Sequence, residues 1–181
     1  EEVGIGPIVY QKDIDTQVKE TITGQYCYEL PVEVHGYLYF TDDETEIGEN
    51  LPVGANPPSA VQVVSIEQEI VDVDEDTAEL RFKIYIENVG AGTIVEGLSE
   101  CFEYRETGYR EELTLSIDGP YRPECPEDIK LSRDTMQDVI TCKVYDIDKN
   151  NLGDTPAEII ITLDGFAYEQ DLESVDIWLD A

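Results

Sequence analysis

Asp146, Asp148, Asn150 and Asp154 set oxygen-bearing side chains at near-regular intervals through Asp146-Ile147-Asp148-Lys149-Asn150-Asn151-Leu152-Gly153-Asp154. Such spacing lets carboxylate and amide oxygens converge on one hard cation, as in EF-hand loops, so these four residues are the candidate Ca2+ ligands. The match is partial. Gly153 falls two positions late for the turn glycine, and Ala157 stands where the bidentate Glu would be. Without a cation the same stretch is an acidic, solvated turn. Two further acidic clusters, Asp42-Asp43-Glu44 with Glu46 and Asp72, Asp74, Glu75 and Asp76, pose the same alternative. Exposed like charges this close repel by a few tenths of a kcal/mol per pair, about 0.2 to 0.5, and a divalent ion reverses the sign.

Catalysis has little to work with, and the chain is expected not to be an enzyme. His35 is the single histidine, and it sits in the alternating stretch Val32-Glu33-Val34-His35-Gly36-Tyr37, where a strand position on the surface or in the core accounts for it. There is no Gly-x-Ser-x-Gly, no glycine-rich phosphate loop and no His-rich metal motif. A carboxylate pair for glycoside hydrolysis needs only the right separation in space, and among 42 acidic residues the presence of such pairs carries no information.

The charge balance is more telling. Forty-two Asp and Glu against 11 Lys and Arg give a formal net charge of -31, with a pI near 4.1. That surface excludes nucleic acid as a partner and repels anionic lipid, and it repels other copies of itself unless cations screen it. High salt, abundant divalent cations or a basic partner surface would each make it tolerable. Apolar runs such as Glu158 to Leu163 fall far short of the roughly 20 residues that span a bilayer, so no membrane insertion is expected.

Cys27, Cys101, Cys125 and Cys142 are even in number and dispersed, with no Cys-x-x-Cys pair, which favours disulfides over a zinc or redox site. Disulfides point to an oxidising compartment, and the chain is expected to be extracellular or at the cell surface. The opening Glu1-Glu2-Val3 reads either as a mature end left by signal processing or as a trimmed start. If Ile129 to Leu131 and Val139 to Cys142 form a hairpin, Cys142 lies beside the chain entering from Cys125. A Cys125–Cys142 bridge follows, leaving Cys27 and Cys101 to pair within or between subunits.

The elements that hold these residues are strands. Leu80, Phe82, Ile84 and Ile86 alternate with Arg81, Lys83, Tyr85 and Glu87, the period of a half-buried antiparallel strand. The same alternation marks Leu113, Leu115 and Ile117, then Ile159, Ile161 and Leu163, then Val175, Ile177 and Leu179. With Val61 to Val71 and Met136 to Tyr145 these predict an all-β, antiparallel β-sandwich, immunoglobulin-like or jelly-roll-like, with a small N-terminal β segment. Asn50 to Ser59 offers three prolines and a glycine and reads as a loop or linker. The expected division is therefore residues 1–58, a strand segment with its linker, and residues 59–181, the sandwich. The first part cannot close a core alone, since a lone hairpin is marginal in water. Val3, Ile5, Ile8 and Val9 make the N-terminal stretch too apolar for an idle tail, and it is expected to add as a strand to a sheet edge of a neighbouring copy.

Ile86-Glu87-Asn88-Val89-Gly90-Ala91-Gly92-Thr93-Ile94, then Cys101, Leu113 to Gly119, Glu124-Cys125-Pro126-Glu127-Asp128-Ile129-Lys130-Leu131 and Val139-Ile140-Thr141-Cys142 together resemble archaeal secreted surface proteins with a CARDB-like or immunoglobulin-like sandwich. Gln25-Tyr26-Cys27-Tyr28 looks like the aromatic-flanked cysteine of a preceding domain in such proteins, and His35 stands near where that resemblance implies its partner cysteine. A looser likeness, of type and not of motif, is to archaeal extracellular filament or tubule subunits of the cannula kind, which implies polymerisation by strand donation and calcium coordination. Within the Asn-x-Gly-x-Gly turn, glycine is expected to supply positive φ.

These readings converge on a secreted structural subunit of an extracellular filament, tubule or surface layer, a homopolymer whose partner is itself. The alternative is a cell-surface binding or adhesin module for a glycan or protein, and a third reading is an exported hydrolase. The 11 Tyr residues, among them Tyr37, Tyr39, Tyr104, Tyr109, Tyr121 and Tyr168, suit interfaces and sandwich strands alike.

Overall fold

In the stretch Thr77–Asn88 every second side chain from Leu80 to Ile86 is buried while Arg81, Lys83, Tyr85 and Glu87 reach solvent, and this period of two recurs through almost the whole chain. The computed structural model describes residues 17–29, 31–41, 51, 53–95, 97–101, 110–126, 128–132 and 137–179. They form twelve strands: β1 (Val18–Ile22), β2 (Gln25–Glu29), β3 (Val32–Phe40), β4 (Val61–Asp72), β5 (Thr77–Asn88), β6 (Thr93–Val95), β7 (Arg110–Asp118), β8 (Asp128–Ser132), β9 (Gln137–Asp148), β10 (Gly153–Asp164), β11 (Ala167–Asp171) and β12 (Val175–Leu179). Two 3₁₀ turns, Leu98–Glu100 and Lys149–Asn151, are the only helical segments among the described residues.

The chain divides into two compact units, one of Tyr26–Gln170 and one of Glu1–Gln25 with Asp171–Ala181. In the larger unit, a four-stranded sheet of order β3-β10-β7-β8 and a three-stranded sheet of order β4-β5-β9 bury their apolar faces in one core. Val34, Leu38, Ile159, Ile161 and Leu113 come from the first, and Val63, Ile66, Phe82, Ile84 and Ile140 from the second. All ladders with a resolved register are antiparallel, so the fold is an all-β sandwich. A third sheet has the order β2-β11-β6. Pro156 is accommodated in β10 because the β10–β3 register breaks between Gly153 and Ala157, where no ladder bond is asked of it.

The proline-rich stretch belongs to the larger unit. Leu51 bridges Ile66 of β4 and Val53 bridges Gly36 of β3, with the Gly54 N–H donating to the His35 carbonyl at 2.6 Å. It thus lies along the outer edges of β3 and β4, the positions where each sheet would otherwise end in unpaired backbone. Two side-chain amides complete that cover. Gln68 accepts from the Tyr39 N–H at 2.8 Å and donates to the Tyr39 carbonyl at 2.5 Å, while Asn56 brackets Val63 in the same way at 2.9 Å each. β3, which precedes the proline-rich stretch, is thereby an integral edge strand of the four-stranded sheet.

Cys125 is bonded to Cys142 and Cys27 to Cys101. The hairpin expected between Ile129 to Leu131 and Val139 to Cys142 does not form. β8 pairs with β7 in one sheet and β9 with β5 in the other. Cys125 reaches Cys142 by another route: Glu124 pairs with Lys143 through both backbone bonds, at 2.7 and 3.0 Å. Sequence adjacency suggested a hairpin, but Ile129 and Ile140 each do better burying their side chains from opposite layers of the sandwich.

The smaller unit is a two-stranded ribbon. β1 pairs with β12 in the register Val18 with Leu179 through Ile22 with Val175. One of its faces carries Lys19, whose ammonium lies 2.6 Å from Asp176 and above the Trp178 ring, and Thr21, whose hydroxyl donates to Asp176 at 2.8 Å. The other carries Ile22, Val175 and Ile177 by register, with Glu20 opposite Ile177. Leu172, Val175 and Trp178 are exposed.

Candidate functional site

Side chains that could bind or react gather in three places among the described residues. The first is the end of the β4-β5-β9 sheet. Opposite Glu79, β9 carries an extra residue, since Ala78 pairs with Ile147 while Leu80 pairs with Val144. Asp146 sits in this bulge at φ 55°, a left-handed conformation that Asp tolerates better than most residues. Asp148 then caps the 3₁₀ turn Lys149–Asn151, accepting from both the backbone and the side-chain N–H of Asn150 at 2.9 Å.

Thr77 pairs with Asp148, so the β4–β5 turn lies beside this one and the two acidic clusters, 72–76 and 146–154, meet at one end of one sheet. Lys149 ties them together: its N–H donates to the Asp76 carbonyl at 2.9 Å and its ammonium to the Asp74 carbonyl at 2.6 Å. Of the four proposed cation ligands, Asp154 lies in β10 with its side chain outside the described set, and the amide N–H of Asn150 is turned to Asp148. Among the described residues no three His, Cys, Asp or Glu side chains converge on a point that could hold a metal ion. The cluster at Asp42, Asp43, Glu44 and Glu46 lies outside the described residues.

Hydrogen bonding shapes the titration of this turn. The Thr77 hydroxyl, then the N–H groups of Asp76 at 2.9 Å and Thr77 at 2.7 Å, hold the Asp74 carboxyl below the usual carboxylate range. Because the folded-state value is depressed, the stabilisation is complete above the ordinary carboxylate range and is lost as pH falls through the lowered value. Thr77→Val, which keeps the shape and deletes the hydroxyl, should therefore move Asp74 upward toward the ordinary value. Carboxyl carbon NMR titration reads this directly, and an Asp74 that did not move would remove the hydroxyl as its main partner.

The second place is the β2-β11-β6 sheet. Tyr26 and Tyr28 stack with ring centroids 6.0 Å apart, and Tyr28 tilts against Tyr168 at 5.7 Å. Burial is the first cause of the raised phenol pKa of both Tyr28 and Tyr168. The Tyr168 hydroxyl accepts from the Gly92 N–H, and Asn88 closes the same turn by accepting from Gly90 N–H at 3.0 Å and donating to the Gly92 carbonyl at 3.1 Å. Positive φ, expected for the glycines of this turn, is found among the described glycines at Gly97 and Gly165 only. Gly90 and Gly92 are there for space: a Cβ on Gly90 would lie 2.0 Å from the Tyr168 hydroxyl, and one on Gly92 would lie 2.2 Å from the Glu169 carbonyl oxygen.

No family model, curated protein or solved structure matches this chain. Its function has to be read from its own geometry.

The third place is the outer face of β4-β5-β9, which none of the sequence motifs marked. Its paired rows run Ser65, Tyr85 and Val139, then Glu67, Lys83 and Thr141, then Glu69, Arg81 and Lys143. Glu79, nearly buried, receives the Arg81 Nε at 2.5 Å and has the Lys143 ammonium at 3.6 Å. That contact, with desolvation opposing it, holds the Glu79 carboxyl low. A shallow groove of about 170 Å³ is lined by Glu67, Gln68, Glu69, Arg81, Lys83 and Thr141. His35, by contrast, lies on the solvent face of β3 with Nδ1 2.8 Å from Glu158. Val3, Ile5, Ile8 and Val9, the proposed assembly residues, lie outside the described residues.

Proposed function

We propose that this chain is a secreted structural subunit of an extracellular filament, tubule or surface layer, a homopolymer joined by addition of the N-terminal segment as a strand to a sheet edge of the next copy. The observation that carries the reading is the β1–β12 ribbon. It has only two strands, and among the described residues no third strand pairs with either edge. A two-stranded ribbon is marginal in water, and three or more strands with a covered apolar face are needed for independent stability. Ile22, Val175 and Ile177, with Glu20 opposite Ile177, supply such a face, and the apolar Val3, Ile5, Ile8 and Val9 lie upstream of β1, with residues 10 to 17 between. By contrast, β3 and β4 are partly covered by the chain's own Leu51 to Asn56 region, so these edges are poor receivers.

Two disulfides, and no described helix long and apolar enough to cross a membrane, are compatible with an extracellular protein. Full burial of an aliphatic side chain is worth roughly 1.5 to 3 kcal/mol, so even half-burial of the four N-terminal side chains would hold a strand in place.

Deleting residues 1 to 10 should leave the Tyr26–Gln170 unit folded, by circular dichroism and a cooperative melt, while polymers seen by negative-stain microscopy disappear. Polymers of unchanged form from the deleted chain would sink the proposal. A full-length chain that stayed monomeric under all salt and calcium conditions would point instead to a binding module.

A further inference from the structure

The outer face of β4-β5-β9 combines two properties that matter for a chain of net charge -31. It is close to neutral, with Arg81, Lys83 and Lys143 against Glu67, Glu69, Glu79 and Glu87, so it is a surface on which two copies can meet with far less repulsion than dominates elsewhere. Three of the six Lys and Arg side chains that are described lie on it. Its charges are also sorted into columns. β4 carries the acidic column, Glu67 and Glu69, and β5 beside it carries the basic one, Lys83 and Arg81, in direct register.

We propose that this face is a self-complementary contact between two copies of the chain, related by a two-fold axis that runs parallel to the strands between β4 and β5. Only that axis fits the pattern. It lays β4 of one copy over β5 of the other, so that Glu67 meets the second copy's Lys83 and Glu69 its Arg81, each twice, as an isologous contact requires. An axis across the strands would lay β4 over β4 and bring Glu67 against Glu69. Lys83 is suited to the role, being exposed and forming no ion pair among the described residues, because Glu67 accepts instead from the Tyr85 hydroxyl at 2.7 Å.

On the proposed axis β4 and β5 are the strands overlaid, and two strands about 4.8 Å apart and a dozen residues long at about 3.3 Å each cover on the order of 400 Å² per copy. That is too small for a stable isolated dimer, and it suits a weak lateral contact repeated along an assembly. The inference thus rests on the reading of the chain as a homopolymer, but it uses a different surface from the N-terminal strand.

The test is a charge swap in the full chain, read by analytical ultracentrifugation at about 0.15 M salt, where the Debye length is about 8 Å and long-range repulsion is damped. Wild type should self-associate. Lys83→Glu alone and Glu67→Lys alone should each weaken association at least tenfold, because each sets like charges opposite one another. Mixed one to one, these two variants should associate again, since one then supplies only acidic and the other only basic groups at both positions. Glu67→Gln, which keeps an acceptor for the Tyr85 hydroxyl, controls for loss of that bond, and unchanged melts control for folding.

Singles that associate like wild type, a mixture that stays monomeric, or a wild type that is itself monomeric would each overturn the inference. Filaments persisting in the Lys83→Glu chain but lost on deleting residues 1 to 10 would overturn it while sparing strand addition. Charge-dependent pairing without filaments would do the reverse.

Discussion

Replacing Cys27 and Cys101 together by serine should lower the unfolding free energy by about 4 kcal/mol, more than removing Cys125–Cys142 does. The reason is chain entropy. The first bridge closes a loop with a sequence separation of 74 and the second one of 17. The loop-closure relation then gives about 4.5 kcal/mol for the first and about 3 kcal/mol for the second, taken up by restricting the unfolded ensemble. Packing adjusts the comparison. Cys142 is fully buried in the core, so its replacement should be alanine, which leaves no unpaired hydroxyl there. The long bridge ties β2 to the end of the 3₁₀ turn Leu98–Glu100, a turn whose Leu98 N–H also donates to Glu29 of β2 at 3.1 Å. Guanidinium unfolding of the two double variants measures both the size and the order. The unfolded chain released from its long loop should also be more expanded, which raises the denaturant slope. A reversed order would mean that native packing around Cys142 outweighs chain entropy.

Period-two alternation names the core strands well because it records a local fact, which side chain faces which layer. Leu80, Phe82, Ile84, Ile86, Ile159, Ile161 and Leu163 are all buried as their spacing demands. What a strand pairs with is not local. β3 joins β10 more than a hundred positions later, and β1 joins β12 across nearly the whole chain. Val175 and Ile177 show the limit of the signal: they alternate like core residues, yet Val175 is 59% exposed because the ribbon brings no second layer of its own. The proline-rich stretch looked like a linker because proline cannot donate to a ladder, and the same property suits it to lying along an edge through isolated bridges.

The charged face was illegible for a similar reason. On each strand alone Glu67, Glu69, Arg81 and Lys83 are an ordinary solvated pattern. Only the register of β4 against β5 sorts them into facing columns.

Gly92→Ala should cost about 3 kcal/mol, whereas Gly153→Ala should be close to neutral. Neither glycine has positive φ, so the contrast isolates space from backbone conformation. At Gly153 an added Cβ meets nothing within 4 Å, and the smaller freedom of alanine in the unfolded chain offsets any loss. At Gly92 the added carbon would lie 2.2 Å from the Glu169 carbonyl oxygen and 2.9 Å from both Gln170 Cβ and Tyr168 Cζ. The nearest of these is backbone, and it cannot swing aside, because Glu169 is paired with Thr93 in the β6–β11 ladder immediately after the turn. Relief therefore requires the turn to lift from β11, which breaks the bond from Gly92 N–H to the Tyr168 hydroxyl and leaves that nearly buried hydroxyl short of a partner. Overpacking of this kind typically costs about 1 to 3 kcal/mol, and the lost hydrogen bond puts this case at the upper end. Because β11 also lies beside β2, the loosening should reach the stacked Tyr26 and Tyr28, seen as a fall in near-ultraviolet circular dichroism before global unfolding. Equal stability of the two alanine variants would mean that Gly92 is tolerated at the turn and not required by it.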